Sequence, residues 1–314
     1  MMTFKQLEAI FWVARLGGFS QAAQKLHTTQ SAVSKRVQEL EALFDTPLFD
    51  RSLRTARLTE KGEEMFAVAR RLLQEREAAV EQFVRPEVIE RRLRIGVTEL
   101  TAITWLPRLV NRIQSCWPRV VIEPEVETSV VLRDKLIADD LDLAIVPDVF
   151  QDARMATQRV GILEQVWMCK PGLADGRRRY RLQELASFPL VLQSDKSGTG
   201  LYINQWLMQF GVRLPGNLSS SNMLALLGMA VSGLGLTYLP VRCLQPMVDA
   251  GMLQALRVTP SLPDTPYVAM FKRDERSTIV RSTVLLSQEV CDFSRLFQAK
   301  GLPDASAIRH DHAE

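Results

Sequence analysis

Hydroxyl, amide and cationic side chains are concentrated between residues 20 and 36. Together they supply hydrogen-bond donors, hydrogen-bond acceptors and two adjacent positive charges. On the exposed face of a short helix, such groups suit the major groove of duplex DNA, where amides and hydroxyls reach base edges and cations reach phosphates. The predicted contact residues are Ser20, Thr29, Gln30, Ser31, Ser34, Lys35 and Arg36, with Gln30, Ser31 and Ser34 assigned to base edges.

A second set of polar side chains follows predicted strands further along the chain. Ligands of open α/β sheets bind outside the carboxyl ends of the strands, where the N-termini of helices also converge. Uncharged groups at helix starts suit a small organic anion better than a cation. Each group could instead be a helix cap; we favour ligand binding at Thr98 and Thr128. The candidate ligand-binding residues are Thr98, Glu99, Thr101, Thr128, Ser129, Gln193, Ser194 and Ser197, with Thr199 nearby.

Glu99 brings a negative charge into this second set. If its carboxylate points into the site, it would repel an organic acid, or it would select a ligand that also carries an amine or a hydroxyl group. Trp105 and Trp167 could supply an aromatic wall, although either could belong to the core. The sequence leaves these alternatives open.

The predicted DNA-contacting residues require two short helices joined by a tight polar turn. Val33, Val37 and Leu40 recur at intervals of four and three, so the second helix has an apolar face opposite its polar one. Ser20 is the expected N-cap of the first helix, which should end at residues 27–29. The alternative is an ordinary helical hairpin with a solvated polar face.

A basic segment that is compatible with two strands follows the second helix, at residues 48–58. We predict a wing there, with Arg51 and Arg54 contacting phosphate or entering the minor groove. Asp45 lies in the turn before it. Because Asp tolerates left-handed backbone geometry, this residue can end the second helix.

Thr59 is the predicted N-cap of a long helix that Pro86 ends. Apolar side chains recur along it at nearly heptad spacing. They could pack on the N-terminal domain itself, but the length of the helix favours pairing with a second copy of the chain. The seam consists of Met65, Ala69, Leu72, Ala79 and Phe83.

From Arg92 onward, predicted strands and helices alternate, which implies an α/β fold with an open, mostly parallel sheet. The alternation of strands and helices begins again near Gln165. A late strand near Tyr267 then returns to the subdomain that begins at Arg92. A chain that leaves a subdomain and returns to it forms two lobes with a cleft between them. The predicted strands are 93–97, 120–126, 141–146, 165–169, 190–193, 236–239 and 267–272, with helices at 101–115, 129–138 and 201–210 and another from Ser277.

Composition places the chain among globular proteins of about two domains, with 314 residues and 46% hydrophobic residues. The formal charge is only +3, but residues 1–58 carry eight Lys and Arg against five Asp and Glu. The uncharged stretch 223–241 approaches the length of a membrane span; its glycines and Pro240 favour a helix stop before a short buried strand. No signal peptide is seen, so a cytoplasmic location is expected.

The sequence offers no catalytic or metal-binding constellation, so we predict that the chain is not an enzyme and needs no cofactor. His27 lies in the predicted DNA-contacting turn, and the other two histidines, His310 and His312, lie in the tail. No Ser-His or Cys-His arrangement can therefore form in the C-terminal region. The scattered cysteines are expected to be buried free thiols. They are Cys116, Cys169, Cys243 and Cys291.

An ordered series of short motifs resembles the N-terminal domain of LysR-type transcriptional regulators. They are Ala22-Ala23, Gln30-Ser31-Ala32-Val33-Ser34, Leu40-Glu41, Pro47-Leu48-Phe49, Arg51, Arg54 and Leu58-Thr59. The resemblance implies a winged helix-turn-helix, a long linker helix and a two-lobed, periplasmic-binding-protein-like effector domain. It further implies sequence-specific regulation of transcription by a small effector, here a small organic acid, held between the lobes. Asp45 stands where the family usually has glycine.

The resemblance also implies limits for the domains. We expect a DNA-binding domain at 1–58, a linker and dimerisation helix at 59–89, an effector-binding domain at 90–305 and a flexible tail at 306–314. Within the effector domain, lobe I should comprise 90–161 and 268–305, and lobe II 162–267.

The partners that the resemblance implies are double-stranded DNA with an inverted-repeat operator, the effector, and further copies of the chain in a homodimer that assembles to a homotetramer. RNA polymerase is an additional candidate partner. Two competing interpretations stay open: an architectural DNA-binding protein whose C-terminal domain only oligomerises, and a solute-binding module with an added helical N-terminus. The first would bind no small molecule, and the second would not bind duplex DNA.

Overall fold

The computed structural model describes residues 1–50, 56–84, 89–216 and 218–298, and the chain divides into two compact units. The N-terminal unit comprises Met1–Val84 with Arg276–Thr278, and the C-terminal unit comprises Arg85–Glu275 with Ile279–Glu314. Several predictions fall outside the described residues. They concern Arg51, Arg54, Pro86 and the tail 306–314.

The N-terminal unit is built on three helices that share one apolar core. The core side chains recur at helical spacing, and Ile10, Val33 and Leu40 are completely buried. The predicted pair of short helices is therefore present, with a further helix packed against both. The three helices are α1 (Phe4–Leu16), α2 (Phe19–Lys25) and α3 (Gln30–Phe44).

The ends of these helices test two predictions about single residues. Asp45 has φ 47° and ψ 42°, so the predicted left-handed end of α3 is confirmed. The prediction that Ser20 caps α2 is wrong. The helix begins two residues earlier than that cap implies, at Phe19, with Gly18 in extended geometry as its N-cap, and the hydroxyl of Ser20 bonds to Gln30 instead.

A two-stranded wing follows α3, with β1 at Phe49–Asp50 and β2 at Arg57–Leu58 in antiparallel pairing. Glu41 connects the wing to α3. Its buried carboxylate oxygen Oε1 accepts hydrogen bonds from the backbone N–H groups of Leu48, at 2.7 Å, and Phe49, at 3.3 Å. The carboxylate of Glu41 thus holds in place the segment that leads from α3 into the wing.

Thr59 caps the long helix α4 (Glu60–Phe83), as predicted, because its Oγ1 accepts the N–H of Gly62 at 3.0 Å. The glycine is required there. A Cβ on residue 62 would lie 2.0 Å from the carbonyl oxygen of Leu48, so any larger residue would push the helix away from the segment before the wing.

The predicted seam of α4 is only partly available to a second copy. Ala69 is completely buried in the core of the N-terminal unit, and Leu72 packs against that core. The end of the helix is different, because Phe83 is 87% exposed and Val80 is 54% exposed. The alternative interpretation, packing on the N-terminal domain, therefore holds for Ala69 and Leu72, and pairing with a second copy stays a prediction for the end of the helix.

The C-terminal unit contains the alternating strands and helices. The strands are β3 (Arg92–Val97), β4 (Val121–Val126), β5 (Leu143–Pro147), β6 (Met155–Leu163), β7 (Gln165–Cys169), β8 (Arg179–Arg181), β9 (Val191–Gln193), β10 (Leu218–Ser220), β11 (Thr237–Pro240), β12 (Gln254–Ala255), β13 (Arg257–Thr259) and β14 (Thr265–Lys272). The helices are α5 (Glu99–Ile103), α6 (Leu106–Cys116), α7 (Ser129–Ile137), α8 (Gly198–Gln209), α9 (Met223–Val231), α10 (Val241–Asp249) and α11 (Thr278–Val290), with a 3-10 helix at Leu182–Ser187.

Lobe I is organised around a five-stranded sheet with the strand order β4-β3-β5-β14-β6. The strand β3 is parallel to β4 and β5, whereas β14 is antiparallel to β5 and β6. The chain leaves the lobe along β6 and returns along β14, so these two neighbours run in opposite directions. The sheet is consequently mixed rather than mostly parallel.

Lobe II is organised around smaller sheets. The strand β7 lies between β11 and β12 with antiparallel pairing, while β9 pairs with β10 and β8 with β13 in parallel. The predicted strand at 165–169 agrees with β7, and the helix stop before the strand at 236–239 is confirmed by the end of α9 at Val231 and by β11. None of the helices described in the structure is both long and apolar enough to cross a membrane.

The predicted helix at 101–115 is interrupted. Two helices, α5 and α6, replace it, and Thr104 between them has φ −101° and ψ −88°. Pro107, in the first turn of α6, explains the break, because a proline cannot donate the hydrogen bond that a continuous helix would require from residue 107. The break leaves α5 as a single short turn after β3.

Candidate functional site

The first turn of α3 presents the side chain of Gln30 at the surface of the N-terminal unit. The hydroxyl of Ser20, on α2, donates to Gln30 Oε1 at 2.8 Å. With its carbonyl oxygen engaged, Gln30 keeps the two donors of its amide nitrogen for another molecule. Ser20 is therefore placed to orient the Gln30 amide.

Thr29 and Ser31 flank Gln30 and are also exposed. Thr29 is the N-cap of α3: its Oγ1 accepts from Ala32 N at 3.2 Å and lies 3.0 Å from the hydroxyl of Ser31. Further along the helix, Ser34 is half-buried. Ser31 is the more accessible of the two serines assigned to base edges.

Lys35 is exposed and Arg36 is half-buried on the same helix. Neither forms an ion pair with a carboxylate in the part of the chain that the structure describes. Unpaired cations beside exposed amide and hydroxyl groups suit a phosphate backbone next to base edges. The two wing arginines assigned to phosphate, Arg51 and Arg54, lie outside the described residues.

In the C-terminal unit, a cavity of about 340 Å³ lies between the two lobes. Predicted residues from both lobes line it, and they come from the ends of β3, β4 and β9 and the helix starts that follow. The arrangement agrees with the rule that ligands bind beyond the carboxyl ends of strands. The predicted residues that line the cavity are Thr98, Glu99, Thr128, Ser129, Gln193 and Ser197.

Two predicted residues do not line this cavity. Thr101 is completely buried, with its hydroxyl 3.3 Å from that of Thr98. It lies one helical turn after Thr98, on the inner side of α5. Ser194 is half-buried in the turn before α8, where its Oγ accepts the N–H of Lys196 at 3.4 Å. Each hydroxyl stabilises a neighbouring segment instead.

The start of α7 keeps its side-chain polar groups unpaired. Thr128 is the N-cap, but its hydroxyl makes no hydrogen bond to the helix, and its Oγ1 is a buried atom without a partner among the described residues. Ser129, only 2% exposed, follows at the cavity wall. The N–H of Val130 donates to the Lys196 carbonyl oxygen in a long, 3.4 Å bond. These groups, with the positive end of the helix dipole, suit an anion.

The start of α9 is closed by side chains of the protein. Asn222 is its N-cap, and Asn222 Oδ1 accepts the N–H of Ala225 at 2.8 Å. Across the cavity, Glu99 Oε2 accepts the N–H of Met223 at 2.7 Å. The carboxylate of Glu99 is thereby a second cap of α9, and it links lobe I to lobe II.

The start of α8 approaches α7 closely. Ser197 caps α8 by accepting the N–H of Gly200 at 3.3 Å, and its hydroxyl donates to Gln193 Oε1 at 2.7 Å. A Cβ on Gly198 would lie 2.7 Å from Ser129 Oγ. Only glycine allows the two helix starts to face each other at this separation.

Tyr267 forms part of the cavity wall from β14 and was not among the predicted ligand-binding residues. The residue is 2% exposed, and burial raises the pKa of its phenol, while the hydroxyls of Thr98 and Thr199 act in the opposite direction. The phenol therefore stays protonated at neutral pH. It joins the end of β3 in lobe I to the first turn of α8 in lobe II.

Other lining residues were also missed. Gln165 begins β7, and its Oε1 accepts from the hydroxyl of Thr265 at 3.3 Å. A polar residue at the start of an apolar strand was a usable signal. Glu127 directly precedes Thr128 and satisfied the same strand-end rule, and Asn222 is a typical N-cap before an apolar helix.

Trp105 and Trp167 do not line the cavity. They are 0% and 1% exposed, and their rings pack against Phe293 and Tyr238 respectively. Their proposed role as an aromatic wall is wrong. The two indoles belong to the cores of the lobes, as the alternative interpretation held.

All four cysteines are free, as predicted, but only Cys169 and Cys243 are buried, whereas Cys116 and Cys291 are half-buried. Burial raises the pKa of Cys243 to about 11 and of Cys291 to about 12. The thiolate, which is the reactive form, is therefore scarce at both residues near neutral pH.

Two family profiles match the chain. The profile "LysR substrate binding domain" matches residues 86–292. The profile "Bacterial regulatory helix-turn-helix protein, lysR family" matches residues 4–63. Together they extend over both units.

Individual proteins show the same similarity. The chain is 29% identical over 255 residues to the HTH-type transcriptional regulator PecT of Dickeya dadantii, covering 81% of this chain and 77% of PecT. It is 28% identical over 270 residues to the SDS degradation transcriptional activation protein of a Pseudomonas species, covering 83% and 87%. A structure of a full-length OxyR variant from Pseudomonas aeruginosa superimposes with a TM-score of 0.70 at 22% identity over 96% and 99% of the two chains. That last likeness is one of fold.

Proposed function

The chain belongs to the LysR family of bacterial transcriptional regulators, and from that premise we propose that a small organic acid controls it by binding at the start of α7. The chain is a DNA-binding transcriptional regulator with an effector-binding domain. Members of this family are regulators rather than enzymes.

One observation carries the proposed effector site. Thr128 Oγ1 is buried without a hydrogen-bond partner, at a helix start that borders a cavity of about 340 Å³. A buried hydroxyl that lacks a partner costs about 1–3 kcal/mol. A carboxylate bound there would accept a hydrogen bond from Thr128 and from Ser129 and would face the positive end of the α7 dipole.

For DNA, we propose that the start of α3 enters the major groove. Gln30, Ser31 and Ser34 would contact base edges, with Ser20 and Thr29 beside them. Lys35 and Arg36, together with the wing residues Arg51 and Arg54, would contact phosphate or the minor groove. The exposed amide donors of Gln30 and the unpaired cations of α3 support this assignment.

The proposed assembly is a homotetramer made of two homodimers on an inverted-repeat operator. Residues 1–58 would bind DNA, 59–89 would link and dimerise, and 90–305 would bind the effector, with lobe I at 90–161 and 268–305, lobe II at 162–267 and a flexible tail at 306–314. The exposed Val80 and Phe83 at the end of α4 support pairing there. RNA polymerase is a further proposed partner, and because DNA is the target, the proposed location is the cytoplasm.

Regulation would work through the two lobes that meet at the cavity. A ligand shifts a conformational equilibrium only by its difference in affinity for the two states. Groups from lobe I, such as Thr128, and from lobe II, such as Ser197, line the same cavity. A ligand that contacts both would favour one separation of the lobes over another.

The test is a pair of variants that should separate the two activities. A thermal-shift screen of the full chain against small carboxylates identifies an acid that binds; an acid present at 100 times its dissociation constant stabilises by about 2.7 kcal/mol. Thr128→Val should abolish that shift and retain DNA binding. Gln30→Ala should retain the shift and lower discrimination at one base pair by about 1–3 kcal/mol.

The matched controls are Thr157→Val, an exposed strand position on β6 away from the cavity, and Gln38→Ala, an exposed amide two turns further along α3. Neither should change either measurement. A Thr128→Val protein that still gives the full shift would remove α7 as the effector site. Equal losses on operator and random DNA in Gln30→Ala would remove the assignment of Gln30 to a base edge.

A further inference from the structure

The charges that border the cavity are all negative. Glu99 and Glu127 are the ionisable carboxylates among its lining residues, and none of those residues is Lys, Arg or His. An organic acid at the start of α7 would therefore bind near two carboxylates, with no cationic side chain in the cavity wall to compensate. In a partly enclosed site, water screens such repulsion less than it does at the protein surface.

Glu99 is held in place at the cavity. One carboxylate oxygen, Oε2, accepts the N–H of Met223 at 2.7 Å, while no donor in the described part of the chain contacts Oε1. Because the bond to Met223 fixes the side chain across the two lobes, the carboxylate cannot turn away into solvent without uncapping α9. Oε1 is thus a preorganised acceptor that is available to a donor from a ligand or from water.

Glu127 supplies a second carboxylate, which has no hydrogen-bond or ion-pair partner among the residues that the structure describes. It directly follows β4 and precedes Thr128, and its side chain is exposed. The backbone N–H of Glu127 donates to the carbonyl oxygen of Val97, which holds the residue beside the strand that leads to Glu99. The two carboxylates thus follow neighbouring strands, β4 and β3, of the same sheet.

We propose that the effector is a zwitterion whose ammonium group pairs with Glu99 and Glu127 while its carboxylate binds at the start of α7. This inference rests on the proposed function and specifies its ligand. A ligand with one charge of each sign can pair with the two carboxylates and can also bind at the start of α7. Its ammonium offsets the repulsion that a simple acid would meet, and it supplies donors for Glu99 Oε1.

The remaining lining residues define the body of the ligand. Leu100, Leu163, Leu226 and Pro240 give the cavity an apolar wall. The volume of about 340 Å³ is near the lower limit for small-molecule sites. An α-amino acid with an aliphatic or aromatic side chain therefore fits the charge, the apolar wall and the size together.

The experiment compares ligands that differ by one charged group. The probes are leucine, methionine and phenylalanine, their deaminated acids such as 4-methylpentanoate, and their decarboxylated amines such as 3-methylbutylamine. Calorimetric titration of the full-length chain measures each affinity. At least one amino acid should bind about tenfold or more tightly than both of its counterparts, since each lost charge removes a charge-assisted hydrogen bond.

Glu99→Gln tests whether the negative charge of Glu99 binds the ammonium group of the ligand. Glutamine keeps a carbonyl oxygen that can accept the N–H of Met223, so the variant removes the charge without removing the cap. The affinity for the amino acid should fall about tenfold, and that for the deaminated acid should stay the same or rise. The matched control is Glu123→Gln on β4, whose carboxylate pairs with Arg92 at 2.9 Å outside the cavity, and it should change neither affinity.

The contrary outcomes separate this inference from the proposed function. If the deaminated acids bind as tightly as the amino acids and the binding needs Thr128, the zwitterion is excluded and the organic-acid site stands. If the amines alone bind as tightly as the amino acids, both are overturned. If no amino acid binds at millimolar concentration, the zwitterion assignment fails, whatever acid the wider screen identifies.

Discussion

The starts of α7 and α9 border the same cavity, yet their first turns are in opposite hydrogen-bonding states. At α9, Asn222 and Glu99 accept the N–H groups of Ala225 and Met223. At α7, the N-cap hydroxyl of Thr128 makes no bond to its helix. Since both helices have nine residues, length does not explain the difference.

The difference supports the proposal that a ligand binds at the start of α7 rather than at that of α9. Acceptors within the protein satisfy two of the first three N–H groups of α9, so a ligand gains less there. The start of α7 retains unused hydroxyl groups next to a crowded neighbour, α8. Two helix starts that both begin with a typical N-cap residue, Thr128 and Asn222, therefore differ in whether the cap side chain bonds to its helix.

The largest expected effect comes from the crowding around α7. Gly198→Ala places a Cβ 2.7 Å from Ser129 Oγ and 3.0 Å from the ring of Pro147, so the starts of α7 and α8 must move apart. Such overpacking typically costs about 1–3 kcal/mol. The free energy of unfolding, from urea denaturation of the full chain, should fall by that amount relative to the control below.

The control is Gly228→Ala in α9, where an added Cβ meets no atom within 4 Å. Gly228 is in the interior of α9, where alanine gains up to about 1 kcal/mol in helix propensity, whereas Gly198 is the first residue of α8 and gains less. A loss of more than about 1 kcal/mol relative to the control therefore reports the contact with Ser129. Equal stabilities would mean that the start of α7 is not crowded, and the comparison of α7 with α9 would lose one of its supports.

The intermediate expected effect concerns the closed helix start. Asn222→Ala removes the oxygen that accepts the N–H of Ala225, and losing an N-cap of this kind costs about 0.5–2 kcal/mol. The urea midpoint should shift to a lower concentration with little change in slope. Asn222→Asp keeps an acceptor oxygen and should restore most of the loss. An unchanged Asn222→Ala protein would show that Glu99 alone is sufficient to close α9.

Local sequence signals were reliable where a single residue decides the geometry. Thr59 as the N-cap of α4, Asp45 as the left-handed end of α3 and the strand β7 follow from the chemistry of a few neighbouring residues. The same holds for the placement of Thr98 and Thr128 at strand ends, because strand ends and helix starts are local features.

Features that depend on distant parts of the chain were not predictable in this way. Tyr267 reaches the cavity from β14 because the chain returns to lobe I beside β6, and β6 itself carries too many polar residues to be recognised as a strand. The burial of Ala69 could not be predicted locally, because it depends on α4 completing the core that α1, α2 and α3 form. Glu99 was recognised as a charge in the site, but its role as a cap of α9 is a contact across 124 positions of sequence.

The smallest expected effect on stability is that of Thr128→Ala, and it best separates a cap role of Thr128 from a role in ligand binding. Thr128→Ala removes a hydroxyl that makes no cap bond and whose oxygen is buried without a partner. Deleting the unpaired hydroxyl should raise the free energy of unfolding, and the γ-methyl group lost with it should lower it by a similar amount. The net change should therefore be less than about 0.5 kcal/mol, unlike in Asn222→Ala. The same substitution should nevertheless weaken binding of the acid identified in the screen by about tenfold or more, since the hydroxyl would donate to its carboxylate. Urea denaturation without ligand measures the free energy of unfolding, and calorimetry with ligand measures the affinity.

A stability loss equal to that of Asn222→Ala would mean that Thr128 acts as a cap in solution. The start of α7 would then be closed in the same way as that of α9.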